Sequence, residues 1–253
     1  MIRRRLGLGT VGLWLIATLS LSAFCWPLLL NAGGESAFAQ TMLMVLMPSL
    51  VIFALIEFGS GSIDTKQLAT LAVITAVNSL VRLLGAGVGG IETVFFLIVI
   101  AGFVFRAGFG YLIGSLSLLV SALVGAGVGP WLPFQMMAAG LIGLGAGLLP
   151  RSTHRWIQVA TLVTYSIIAA YVYGALMTLW NWPFLAGATS TLSYVPGAGI
   201  PENLRVFVQY ELLTGGLLWD TGRAVTTAVL VLLTAPTLLP TLDRAANRVG
   251  VRN

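Results

Sequence analysis

A small set of polar and aromatic residues stands out against an otherwise apolar chain, and their spacing suggests a binding site. Asn78 and Arg82 are four residues apart, as are Trp131 and Gln135, so each pair shares one helix face. Asp220 and Arg223 are three apart and can pair within one helix. Glu92 opens an apolar run. Trp180, Asn181, Trp182 and Tyr194 cluster around a polar stretch, and Arg205, Tyr210 and Glu211 precede the last apolar run. Aromatic rings with a few aimed polar groups are what a pocket for an organic ligand requires. The candidate ligand set is Asn78, Arg82, Glu92, Trp131, Gln135, Tyr194, Tyr210, Asp220 and Arg223. Simpler readings stand beside it: an interfacial aromatic belt for Trp180 and Trp182, a structural ion pair for Asp220 and Arg223, and an Arg82 that snorkels to headgroups.

Catalytic chemistry finds little support. The only histidine is His154 and the only cysteine Cys25, so an HExxH site, a multi-cysteine metal site and an internal disulfide are excluded. No GxxxxGK[ST] phosphate loop is present, so the chain does not hydrolyse ATP by that device. Gly-x-Ser-x-Gly is also missing, and the glycines of 85–90 lack the strand-turn-helix setting of a dinucleotide site. No cofactor is expected in the chain itself.

The elements that must position these residues follow from composition. Of 253 residues, 8% are charged and 58% hydrophobic, too little charge to cover a water-soluble domain. Lipid as solvent removes that demand, because helices satisfy their own backbone groups. Charges within the apolar runs are then costly and informative. A span needs about 20 residues. Eight are expected: Leu6–Leu30, Gln40–Glu57, Lys66–Leu84, Glu92–Phe105, Ala107–Val124, Trp131–Leu149, Trp156–Trp180 and Gly216–Leu239. The fold class is all-α, a polytopic membrane helical bundle. The runs lack the strict alternation of barrel strands.

With the N-terminus inside, Arg3, Arg4, Arg5, Lys66, Arg106, Arg151, Arg155, Arg244, Arg248 and Arg252 all fall on the cytoplasmic side, ten of the thirteen basic residues. This is the positive-inside pattern. It places both termini in the cytoplasm and explains the basic balance without nucleic acid. A competing reading takes Arg3–Arg5, the following apolar run and Ala37-Phe38-Ala39 as a cleavable secretory signal. The run is about 25 residues, long for a signal and long enough to span. Asn181–Asn203, with Pro183, Pro196 and Pro201, reads as an irregular outer loop, and a break is expected at Gly215-Gly216. Gly110 with Gly114, and Ala139, Gly143 and Gly147, repeat small residues at four-residue spacing, the pattern of close helix contact.

The stretch Gly129-Pro130-Trp131-Leu132-Pro133-Phe134-Gln135-Met136, with the glycine-rich 141–149, resembles the substrate-specific (S) component of energy-coupling factor vitamin transporters. Trp219-Asp220-Thr221-Gly222-Arg223-Ala224 and Glu92-Thr93-Val94-Phe95-Phe96 fit the actinobacterial cobalamin-type branch. The resemblance implies a six-helix core over 66–253, preceded by a two-helix extension over 1–65. It implies a multi-pass protein of a bacterial cell membrane that captures a vitamin, cobalamin or a related corrinoid, from outside. The implied partners are a transmembrane coupling protein and two cytoplasmic ATPases, which use the ATP. Ala72 and Ala76 occupy the place of the family's Ala-xxx-Ala docking patch. Two rivals remain: a stand-alone secondary transporter using Glu211 or Asp220 for protons, and an intramembrane enzyme.

Overall fold

A computed structural model describes residues 8–29, 45, 49, 64–85, 88–185, 191–195, 197–214 and 216–250. Among these residues the chain is helical, without strands. The helices are α1 (Leu8–Phe24), α2 (Trp26–Leu29), α3 (Thr65–Leu84), α4 (Phe95–Phe105), α5 (Ala107–Ser121), α6 (Leu132–Leu148), α7 (Arg155–Leu185), α8 (Ile200–Leu213) and α9 (Gly216–Arg248). Four are long and apolar enough to cross a membrane: α3, α5 with its continuation to Ala126, α7 and α9. The stretches in α1, α4 and α6 are shorter but apolar. The expected span Gln40–Glu57 lies outside the described residues apart from Val45 and Ser49.

Local chemistry sets several boundaries. Asp64 caps α3: its Oδ1 accepts from Gln67 N at 2.8 Å while Asp64 N donates to Gln67 Oε1 at 3.2 Å. The Gln67 amide also donates to Val249 O at 3.0 Å, tying the start of α3 to the end of α9. A single residue, Arg106, separates α4 from α5, and its φ of 79° is a rare conformation for a side chain other than glycine. Thr214 caps α8 and α9 begins at Gly216, so these are two helices and not one continuous helix. Several boundaries differ from expectation: the first expected span is interrupted at Cys25 between α1 and α2, and α4 begins at Phe95 and not at Glu92. α7 runs on through Asn181, Trp182 and Pro183 to Leu185, which shortens the outer loop. α9 continues past Leu239 to Arg248 through Pro236 and Pro240.

Glycine faces weld the centre. A Cβ at Gly114 would strike the Ala139 carbonyl, one at Gly110 the Gly143 carbonyl, and one at Gly147 the backbone at Ala107. Both small-residue stripes therefore serve contact inside the chain, with α5 antiparallel to α6. Gly102 of α4 meets the same Gly143 carbonyl, so three backbones converge there. Helices α3 and α5 run parallel, joined where Ser79 Oγ donates to Ser117 O at 3.1 Å. These pairings gather Lys66, Arg106, Arg151, Arg155, Arg244 and Arg248 at one end of the bundle. Arg82, Glu92, Gln135, Asp220 and Arg223 lie toward the other.

The N-terminal helices are built into this core. Phe24 and Trp26 are buried. The hydroxyls of Ser20 and Tyr111 bond at 3.2 Å, and Trp26 Nε1 donates to Trp180 O at 3.1 Å. Phe24 meets Phe134 edge-on at 5.6 Å.

Candidate functional site

The segment between α3 and α4 is pressed onto the start of α9. A Cβ at Gly90, whose φ is 80°, would overlap the Trp219 carbonyl, and one at Gly222 the Gly89 carbonyl. Only backbone of this kind allows so close an approach. Thr93 Oγ1 donates to Val81 O at 2.6 Å and fixes the return to α3. The consequence is that Glu92 stands beside Arg223, whose Nη2 donates to Glu92 Oε1 at 2.9 Å.

Arg223 is the hub. Its Nη1 also donates to Asp220 Oδ1 and to Ala170 O. Its guanidinium lies 4.8 Å from the Tyr173 ring centre and 5.9 Å from that of Phe95, and these two rings meet edge-on at 4.6 Å. The side chain is 8% exposed, against 23% for Glu92. A charge so buried is tolerable because both an ion partner and ring faces compensate it. Asp220 fits against α7 only because residue 174 is glycine, where a Cβ would collide with the carboxylate. The Glu211 carboxyl comes within reach of that of Asp220.

Beside this hub is a cavity of ≈420 Å³. Arg82, Glu92, Thr93, Gln135 and Tyr173 contribute its polar lining, with Leu118 and Val94 among the apolar walls. Arg82 is oriented from two helices: Nη1 donates to Ser121 Oγ at 2.8 Å and Nη2 to Gln135 Oε1 at 3.3 Å. Because the Gln135 oxygen is engaged, its amide nitrogen is the group left for a ligand. Asn78 is fully buried one turn below Arg82, and neither end of its amide has a partner among the described residues.

Arg82, Glu92 and Gln135 thus line one cavity, and Asp220 and Arg223 stand directly behind it. Three other candidates lie elsewhere. Trp131 is 45% exposed, folded against Gly129 at the start of α6. Tyr194 belongs to an aromatic cluster in which its ring and that of Phe207 both meet Trp182 at 5.6 Å, and Tyr210 packs on that cluster. Burial raises the Tyr194 phenol above its ordinary pKa. Asn203 fastens the loop there through both amide atoms to the Val195 backbone. Trp180 and Trp182 are buried, so they do not form an interfacial belt; Trp180 stacks on Phe134 at 4.2 Å. Tyr173, Phe95, Thr93 and Ser121 complete the site and were not among the sequence candidates. Ala72 and Ala76 are exposed on the outer face of α3, among exposed Leu68, Val73, Val77 and Leu80.

Four helices long and apolar enough to cross a membrane, packed around a charged cavity, make this a membrane-type helical bundle. The sequence matches the family described as ECF transporter, substrate-specific component, over residues 66–237, and the chain belongs to that family. The match begins at the start of α3 and ends within α9, so it takes in the whole cavity and leaves out α1 and α2. Comparison with curated proteins gives no match, and comparison with solved structures gives none.

Proposed function

We propose that the chain is the membrane-embedded substrate-binding subunit of an ATP-driven vitamin importer of the energy-coupling factor type. The observation that carries this reading is the cavity lined by Arg82, Glu92 and Gln135 inside a member of a substrate-specific component family. Binding a vitamin there needs no covalent step. Arg82, held on two sides, offers its remaining N–H groups to an acceptor on the ligand, the Gln135 amide offers a donor, and Glu92 accepts. Tyr173 provides a ring wall. Arg223 and Asp220 hold Glu92 and the α3–α4 segment in place behind the ligand. Asn78, one turn below Arg82, holds an unpartnered donor and acceptor in reserve behind the cavity wall, and Trp131, Tyr194 and Tyr210 belong to the outer approach.

In this reading both termini and the basic end of the bundle face the cytoplasm, in the cell membrane of a bacterium, and the cavity opens outward. The exposed face of α3 with Ala72 and Ala76 docks on the coupling protein, and two ATPases drive release inward. Residues 66–253 form the binding core. Residues 1–65 form an extension that stiffens it through Trp26 and Phe24. The ligand suggested by resemblance is cobalamin or a related corrinoid. A cavity of ≈420 Å³ lies at the small end for organic ligands, so a corrinoid requires the outer segments to spread, whereas a compact vitamin does not. Colour in the purified protein distinguishes the two. The secondary-transporter reading is not favoured, because membership of this family points to separate ATPases as the energy source and Asp220 is tied to Arg223.

The test is uptake into proteoliposomes containing the chain, a coupling protein and both ATPases. ATP-dependent uptake of one labelled vitamin supports the reading. Uptake by the chain alone under a proton gradient would overturn it.

A further inference from the structure

A second concavity, of ≈600 Å³, lies at the opposite end of the bundle, far from the charged cavity. Trp156, Ile157, Ala160, Thr164 and Ile168 of α7 form one wall, and Leu149 at the end of α6 contributes the other. These α7 positions recur at three- and four-residue steps, so they make a continuous stripe. Tyr165 closes the floor: its hydroxyl donates to Ile142 O at 2.6 Å, and the ring reaches in over Gly145. The walls are apolar and open to the surroundings, with Trp156, Ile157 and Ile168 all more than half exposed.

We propose that this groove holds one acyl chain of an anionic glycerophospholipid, with the phosphate at Arg155. Three observations meet on that occupant. The stripe from Trp156 to Ile168 is about 18 Å long at the helical rise, close to the about 15 Å depth of one leaflet's hydrocarbon. The groove therefore starts at one membrane surface and ends near the midplane. Its mouth is basic: Arg155 and His154 are exposed there, and Arg155 has no protein partner among the described residues. Arg151 is committed to the Phe103 and Val104 carbonyls at 2.6 and 2.7 Å, which leaves Arg155 as the cation for a headgroup. Residues 149–168 contain no acidic side chain. Finally, the start of α7 directs its partial positive charge to the same place, and Trp156 sits where an indole meets a headgroup layer. Basic pockets between helices on the cytoplasmic side are a known setting for anionic headgroups.

The experiment is native mass spectrometry of the full chain released from nanodiscs of either phosphatidylglycerol or phosphatidylcholine. The wild type should retain one lipid, with phosphatidylglycerol favoured about fivefold, the effect of one surface cation. Ala160→Trp and Thr164→Trp each fill the groove from an exposed position and should abolish retention of both lipids at unchanged melting temperature. Arg155→Gln should keep one lipid and lose the fivefold preference. Three results overturn the proposal: no retained lipid in the wild type, equal retention in both groove-filled variants, or an unchanged preference in Arg155→Gln. A photocrosslinker at residue 160 that labels protein instead of lipid also overturns it, and assigns the groove to a protein partner.

Discussion

Glu92 and Arg223, 131 residues apart in sequence, form an ion pair of 2.9 Å that joins the α3–α4 segment to α9. The pair is possible because two glycines, Gly90 and Gly222, let those backbones touch. Glu92 also lines the cavity, so one carboxylate both closes the wall and faces the cavity. Breaking the pair from the arginine side leaves the buried Asp220 and the part-buried Glu92 without their cation. Arg223→Ala should therefore destabilise the fold by about 3–5 kcal/mol, read as a lowered melting temperature in detergent. The triple variant Glu92→Gln, Asp220→Leu, Arg223→Met removes every stranded charge and should recover most of that loss. Failure of the triple variant to recover would show that the hub's packing, and not its charge, holds α9.

Arg82 is anchored by Ser121 and Gln135 but is only half-buried. Arg82→Ala should leave the melting temperature of the empty protein nearly unchanged while weakening vitamin affinity by about tenfold or more, the worth of one hydrogen bond to a charged group. Isothermal titration on both proteins checks this. Equal affinities would remove Arg82 from the site.

Ala72 and Ala76 are exposed on α3 among the described residues. The double change to leucine should spare ligand binding and stop assembly with the coupling protein, because added volume cannot be accommodated at a tight helix contact. Co-purification and uptake report the two effects. Normal assembly would place docking elsewhere on the bundle.

Gly143 accepts the approach of both Gly102 and Gly110. Gly143→Ala should cost about 1–3 kcal/mol through overpacking, measured by thermal unfolding. Trp26→Ala should cost about 3–5 kcal/mol, because its ring is buried and its Nε1 holds the Trp180 carbonyl. A protein that melts as the wild type without residues 1–29 would show instead that α1 and α2 are dispensable.

The length of the apolar runs made the helices readable, and the glycine stripes told which faces meet closely. The Asp220–Arg223 pair was legible too, since three-residue spacing fixes it within a single helix. The Glu92–Arg223 and Arg82–Gln135 contacts were not, because they depend on which helices are neighbours, and apolar runs of similar character carry no address. Tyr173 was missed because one aromatic in a long span looks like packing. Trp131 shared a face with Gln135, yet it lies one turn further out and stays at the surface. The extension of α7 past Pro183 escaped notice because proline normally marks a helix end, whereas here it falls in the last turn.

Vitamin binding in the Arg82 cavity is read out by a thermal-shift screen of the purified chain against water-soluble vitamins, run in parallel on Arg82→Ala. One vitamin should raise the melting temperature of the wild type and fail to do so for the variant. No stabilising vitamin, or the same shift in both proteins, would contradict it.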